Sequence, residues 1–199
     1  DWRSILSNKL LVSGDHRSIT IWNDKNPDEN KRYYQDFFEI IVNRDTCHLL
    51  EVNPSIFVAT QYSNNGYFQV YNNDGKTFPL KGELRNVRSH GSSSNGLSKI
   101  NDNLVCSSSE GILYIISIEP IQIIQKIKNI QVNTIYYNYI TKNNYLYFTE
   151  RYDYISQYKR IVDEENEFVE IVKVGEYNVA SQKAIIPFEL KEGEKLLTV

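Results

Sequence analysis

The side chains able to do chemistry are scattered along this sequence. His16, His48 and His90 are separated by 32 and 42 residues and show no metal-ligand spacing. Cys47 and Cys106 lie 59 residues apart, too far for a metal-binding pair, and sequence alone does not decide whether they are joined. Cys106 sits in Leu104-Val105-Cys106, where a thiol serves as a small hydrophobe. Asp163-Glu164-Glu165-Asn166-Glu167 could supply a carboxylate pair for acid–base work, but its place between two strand-like runs reads as a solvated turn. Lys76, Lys81, Arg85, Arg88 and His90 form the one locally basic stretch. It reads as a solvated loop, or as a contact for an acidic peptide, and is too sparse for nucleic acid. Without a convincing helix there is no phosphate-cradling Gly-rich loop. The expectation is a chain with no catalytic residues, no metal and no cofactor.

The elements that would position these groups are strands. Ala occurs three times and Met never, against 23 Ile and 15 Tyr, a composition suited to pleated, half-buried surfaces. The 21 Asn residues cluster in runs such as Asn64-Asn65-Gly66 and Asn72-Asn73-Asp74-Gly75, where turn dihedrals come at little cost. The 199 residues, 41% of them apolar and 24% charged, can bury a real core, and a net charge of −3 offers no general attraction to polyanions. No apolar run approaches the roughly 20 residues that span a bilayer. The start has no signal-peptide pattern and the chain has no Met, so it is expected to be an excerpt of a longer protein. None of the Asn residues lies in an acceptable glycosylation sequon, because Pro54 blocks Asn53-Pro54-Ser55. A reducing intracellular compartment, cytoplasmic or nuclear, is the expected setting.

One motif recurs. Residues 10–23 read as an apolar strand, a polar turn and an alternating strand ending on Trp22; residues 56–72, 104–117 and 146–159 repeat the shape, and a fifth copy starts near 195. Aligned on the last apolar residue, Trp22, Tyr71, Ile116 and Tyr158 share one column at intervals of 49, 45 and 42. Two residues earlier stand Thr20, Gln69, Tyr114 and Ser156, and three earlier Ile19, Phe68, Leu113 and Ile155. This alternation predicts strands with one wet face and one dry face. Adding inner strands at 46–52, 96–100, 132–137 and 184–188, and outer strands at 121–127 and 168–174, gives four strands per repeat. A period of this length predicts all-β, four-stranded antiparallel blades of a β-propeller, here about four blades plus part-blades of a larger ring spanning 1–199.

The repeats resemble the WD40 family, whose hairpin Ser-Gly-Ser-x-Asp-Gly-x-Ile-x-apolar-Trp-Asp is similar to Ser13-Gly14-Asp15-His16-Arg17-Ser18-Ile19-Thr20-Ile21-Trp22-Asn23. The likeness is one of residue types. Only the first copy keeps the Trp, and the turn aspartate of the family falls at His16, Asn65, Glu110 and Tyr152. Most copies should therefore lack the buried hydrogen-bond network of that family and rely on apolar packing between blades. The Asp-box of sialidase-like propellers is broken here, with Arg17 for its Gly and Thr20 for its Trp, and the Phe-Arg-Arg-Gly signature of phosphoinositide-binding propellers is absent.

Such a ring presents loops on a rigid frame. The resemblance implies a non-catalytic protein–protein interaction scaffold within a hetero-complex: a ubiquitin-ligase substrate receptor, or a trafficking, chromatin or cytoskeletal subunit. The rival reading is a propeller hydrolase completed by blades outside this sequence. In a four-stranded blade, the turn between strands two and three opens on the same side as the link from the outer strand onward. That rim collects His16, Arg17, Glu110, Arg151 and Tyr152 from the first class and Arg85, Arg88 and His90 from the second, a surface suited to an acidic or phosphorylated protein segment. Neither nucleic acid nor membrane insertion is expected.

Overall fold

Runs of β-branched and aromatic residues, punctuated by Asn, Asp and Gly, leave this chain little choice but short strands and tight turns. The computed structural model describes residues 2–7, 11–14, 17–24, 34–42, 46–61, 66–87, 97–109, 111–128, 139–140, 145–150, 154–165, 167–178, 185–190 and 193–198. The first sheet comprises β1 (Trp2–Ile5), β2 (Leu11–Gly14), β3 (Ser18–Asp24) and β4 (Tyr34–Ile41). The second comprises β5 (Thr46–Asn53), β6 (Ile56–Gln61), β7 (Tyr67–Asn72) and β8 (Leu80–Arg85). The third contains β9 (Leu97–Lys99), β10 (Leu104–Ser109), β11 (Ile112–Ile118) and β12 (Ile121–Lys128), and the fourth β13 (Tyr139–Ile140), β14 (Tyr145–Glu150), β15 (Tyr154–Val162) and β16 (Phe168–Asn178). A hairpin of β17 (Ile185–Leu190) and β18 (Gly193–Thr198) follows. Each four-stranded sheet is ordered as in the sequence and antiparallel. The first strands lie against one another, β1 on β5 and β5 on β9, so they form the inner edge.

The expected hairpins fall on β2–β3, β6–β7, β10–β11 and β14–β15, and the fifth copy on β18. The inner strand expected at 132–137 lies outside the described residues; β13 pairs with β14 in that role. The column Trp22, Tyr71, Ile116 and Tyr158 marks a shared backbone feature. In all four sheets the pairing of third and fourth strands slips by one residue there: Ile21 faces Phe38 but Trp22 faces Asp36, and Tyr71, Ile116 and Tyr158 face Leu80, Ile123 and Lys173 after the same slip. A bulge at one fixed position adds the same local twist to every sheet, and that equivalence fixes the repeat.

Burial corrects the expectation of one wet face. Ile19, Phe68, Leu113 and Ile155 are buried as expected, but so are Tyr114 and Ser156 from the column read as wet. Both faces of the interior sheets pack against neighbours. Ile19, Ile21 and Val42 of the first sheet meet Phe57, Ala59 and Tyr71 of the second. Phe68, Val58 and Val70 meet Val105, Tyr114 and Ile116 of the third. Leu113, Cys106 and Ile115 meet Leu146 and Tyr158 of the fourth. Along the third strand, alternate residues thus face the next and the preceding sheet rather than core and water. Polar residues enter this packing, with Thr60, Ser107 and Ser156 fully buried.

Contacts between sheets are close enough to dictate residue type. A Cβ on Gly14 would stand 2.5 Å from Cγ2 of Thr46, and one on Gly82 would stand 2.7 Å from Cδ1 of Ile121. Turns use the expected Asx chemistry: Asn101 Oδ1 accepts from the N–H groups of Asn103 and Leu104 at 2.9 and 2.8 Å. Asp163 Oδ1 likewise accepts from Glu165 and Glu167 at 3.0 and 2.8 Å. Asp163, Glu164, Glu165 and Glu167 are exposed, so the acidic run is a solvated hairpin turn between β15 and β16.

Candidate functional site

Two backbone bonds define one rim of the sheets. The Val42 N–H after β4 donates to the Arg17 carbonyl in the β2–β3 turn at 2.8 Å, and the Asn86 N–H after β8 donates to the Gly66 carbonyl before β7 at 3.0 Å. In the first and second sheets the outer strand thus ends beside the turn joining strands two and three, as the expected rim requires. Arg17 and Arg85 are exposed at this edge, on the first and second sheets. His16, Arg88, His90, Glu110, Arg151 and Tyr152 lie outside the described residues. Within the basic stretch, Lys81 pairs with Glu119, and Arg85 Nε pairs with Glu83 Oε1 at 3.2 Å.

From this rim a groove of about 380 Å³ runs between the first and second sheets. Its polar wall follows from strand register, because Tyr67 faces Arg85 and Gln69 faces Glu83 across β7 and β8, while Gln61 faces Tyr67 across β6 and β7. All five side chains therefore project from one face of the second sheet. Ala59 pairs with Gln69 on the neighbouring strand. Gln69 Oε1 accepts from Gln61 Nε2 at 2.7 Å and from the Tyr71 hydroxyl at 2.8 Å, and Gln69 Nε2 points to Glu83 Oε2 at 3.4 Å. The Arg85 guanidinium lies 5.8 Å from the Tyr67 ring centroid, within cation–π range. Burial first, and then the Glu83 carboxylate, pushes the Tyr71 hydroxyl pKa upward, which keeps it a hydrogen-bond donor.

Apolar residues complete the groove: Ile40, Ile41 and Val42 from the first sheet, and Phe78 and Leu80 from the second. Ile41 is 72% exposed and Leu80 49%, so the mouth is apolar while its floor carries amides. Phe38, also exposed, stacks at a tilt on Phe78 with centroids 5.4 Å apart. These groups suit recognition: donors, acceptors, one ion pair and an apolar lip. Among the described residues no group of three His, Cys, Asp or Glu side chains could hold a metal ion. Of the groove residues, sequence reasoning named only Arg85 as a contact. Gln69 stood in the column read as wet, the one available signal, whereas Gln61 and Glu83 required the register.

At the level of sequence, no family model and no curated protein matches. Solved structures do. A candidate 6-phosphogluconolactonase from Bacteroides uniformis superposes on 98% of this chain with a TM-score of 0.69 at 12% identity. Sqt1 from Chaetomium thermophilum matches 93% with a TM-score of 0.62 at 7% identity. The β-propeller domain of Myceliophteria thermophila Cps50 (Swd1) matches 89% with a TM-score of 0.57 at 12% identity. The fold is that of a β-propeller. This chain spans 57%, 50% and 57% of those three proteins, respectively. The four-stranded sheets are therefore blades, and the groove lies between blades one and two. Identities this low establish a shared fold, one that WD40 proteins and candidate lactonases have in common.

Proposed function

We propose that this chain is a WD40-like, non-catalytic scaffold that holds a protein partner on the rim carrying Arg17 and Arg85. The observation behind this reading is the groove opening there, where exposed Ile41 and Leu80 stand beside the amides of buried Gln61 and half-buried Gln69. Exposed apolar side chains beside a concave, polar-floored site are the usual mark of a binding surface, and Arg is among the residue types that most often dominate interface energies. The test is recovery of the full-length protein from its own cells with cross-linked partners, beside an Arg17→Glu/Arg85→Glu variant. A specific partner lost by at least about tenfold, with the melting temperature unchanged, supports the scaffold. Equal recovery by the variant places the partner surface elsewhere.

The likeness to candidate 6-phosphogluconolactonases favours a second reading, a hydrolase whose site is completed by further blades. Hydrolysis of 6-phosphogluconolactone by the full-length protein above the spontaneous rate would select it over the scaffold.

A further inference from the structure

We infer that the groove between blades one and two receives an extended segment of a partner protein, with a large apolar side chain seated at Ile41 and Leu80 and an acidic residue beside it at Arg85 and Arg17. The inference rests on the scaffold reading and names the chemistry of what the scaffold holds.

The inter-blade gaps can be compared position by position. Gln69, Tyr114 and Ser156 are equivalent residues in blades two, three and four. At the gap between blades two and three, Tyr114 projects toward the preceding blade, is buried, and brings its hydroxyl to the Asn86 carbonyl at 3.5 Å. The outer strands there also meet, with Ile121 against Gly82 and Lys81 paired with Glu119. At the next gap, Gln125 Nε2 donates to the Ile171 carbonyl at 2.9 Å and its Oε1 accepts from the Ile171 N–H at 2.8 Å. The gap between blades one and two has the shorter Gln69 at the position of Tyr114, and Gln69 lines its wall. That gap is the groove.

The Gln125 contact shows what an amide can do in such a place. One glutamine reads both backbone groups of an extended strand running along the outer side of the fold. Gln61 and Gln69 also line the groove. Gln69 Oε1 is bonded to Gln61 Nε2 and the Tyr71 hydroxyl, so an incoming main chain meets the Gln69 amide at Nε2, whose contact to Glu83 is a long 3.4 Å. A partner chain can meet these amides with its main-chain N–H and C=O groups only if it enters extended, since a helix has already used most of them. Ile41 and Leu80, together with Phe78, supply the apolar contact for one anchoring side chain. Charge then sets the flank. The Glu83 side chain is 28% exposed and already engaged by Arg85 and Gln69, whereas the Arg85 side chain is 69% exposed and Arg17 lies exposed on the same rim. The outward-facing charge is therefore cationic and favours a carboxylate next to the anchor.

The test uses the full-length protein and a phage-displayed library of random dodecapeptides. Wild type is the bait, and the selected pool is measured by fluorescence anisotropy against three variants. Ile41→Asp/Leu80→Asp alters exposed side chains only. Gln69→Tyr fills the groove as Tyr114 fills the next gap, and its melting curve shows whether it folds. Arg85→Glu reverses the charge at the mouth. The expected consensus is an aromatic or large aliphatic residue next to Asp or Glu. Its binding should weaken at least tenfold with Ile41→Asp/Leu80→Asp, and with Gln69→Tyr where that variant folds, and Arg85→Glu should turn the preference toward Lys or Arg flanks. A pool that binds wild type and the Ile41→Asp/Leu80→Asp variant equally overturns the groove assignment while leaving the scaffold reading intact. A consensus with basic flanks on wild type overturns the charge argument and the partner chemistry with it. Failure of wild type to enrich any peptide overturns this inference, and the scaffold reading falls separately if cross-linking also recovers no partner.

Discussion

Acidification should destabilise this protein well before its carboxylates titrate, and His48 is the reason. His48 lies on β5 opposite Thr60 and is 4% exposed. Burial disfavours its charged form and lowers its pKa from 6.5 to about 4. In the unfolded chain the imidazole takes up a proton near its ordinary pKa, so as pH falls below about 6.5 the unfolded state binds protons that the folded state refuses. The neutral-histidine contribution is thus complete above pH 6.5 and declines on descent until the folded pKa near 4 is reached. Across that window the loss sums to about 3 kcal/mol, and about 2 kcal/mol of it has gone at pH 5, taking roughly 1.4 kcal/mol for each unit of pKa difference. Urea unfolding of the full-length protein from pH 7.5 to 4.5, beside His48→Gln, measures it. The wild-type stability should fall relative to the variant by about 2 kcal/mol between pH 7 and pH 5. Parallel pH profiles would refute the reasoning, because they would mean that His48 protonates alike in both states.

Two further substitutions test the packing between blades. Phe68 is fully buried between blades two and three, and Phe68→Ala should cost on the order of 3 to 5 kcal/mol in denaturant unfolding; an unchanged midpoint would remove it from the core. Gly14→Val places side-chain atoms where Thr46 Cβ and Cγ2 already stand, so the blades must separate at that end, with an expected loss of roughly 1 to 3 kcal/mol. The double variant Gly14→Val/Thr46→Ser should recover part of that loss in the same measurement, and no recovery would place the strain elsewhere.

The repeat was legible because it rests on local chemistry. Strand alternation, Asn-rich turns and a recurrent last apolar residue all recur within single stretches of about 14 to 17 residues, and each of the four hairpins appeared where the pattern placed it. The burial of Ile19, Phe68, Leu113 and Ile155 followed from the same alternation. What alternation cannot convey is the identity of the second face. Ser156 is fully buried and Gln61 is 3% exposed, because a blade between two neighbours packs on both of its faces. A serine or glutamine in a strand looks wet until the flanking sheets are known. The groove was hidden for the same reason. Gln61, Gln69, Glu83 and Arg85 converge only through the cross-strand pairings of β6, β7 and β8, while Ile41 arrives from another sheet. The charge attributed to Arg85 also needed geometry, since Glu83 neutralises part of it from the adjacent position on the same strand face.

A propeller built from unlike repeats can acquire a binding site without adding a loop. The backbone of each blade is held in common by the bulge at Trp22, Tyr71, Ile116 and Tyr158, so the gaps between blades have similar walls and differ in what fills them. Two residues before the bulge, the side chain faces the preceding blade, and what closes the gap differs from blade to blade. At blade four Ser156 is buried and Gln125 bonds both backbone groups of Ile171 across the outer strands. At blade three Tyr114 spans the gap, with the Lys126 ammonium 5.7 Å from its ring centroid on the strand opposite. Gln69 stops short of the neighbouring blade, its amide held by Gln61, Tyr71 and Glu83 of its own blade, with Glu83 in the position that Lys126 occupies one blade later. One pair of equivalent positions thus reads as packing in blade three and, on the proposed function, as recognition in blade two. Stability tolerates the difference because Ile19, Ile21, Phe57 and Tyr71 still join blades one and two deeper in the same interface. The unlikeness of the polar positions from blade to blade follows the same logic. Once apolar packing between blades supplies the cohesion, polar positions in the gaps no longer have to be alike, and on the proposed function the specificity of the gap between blades one and two changes by substitution at Gln69 and Glu83.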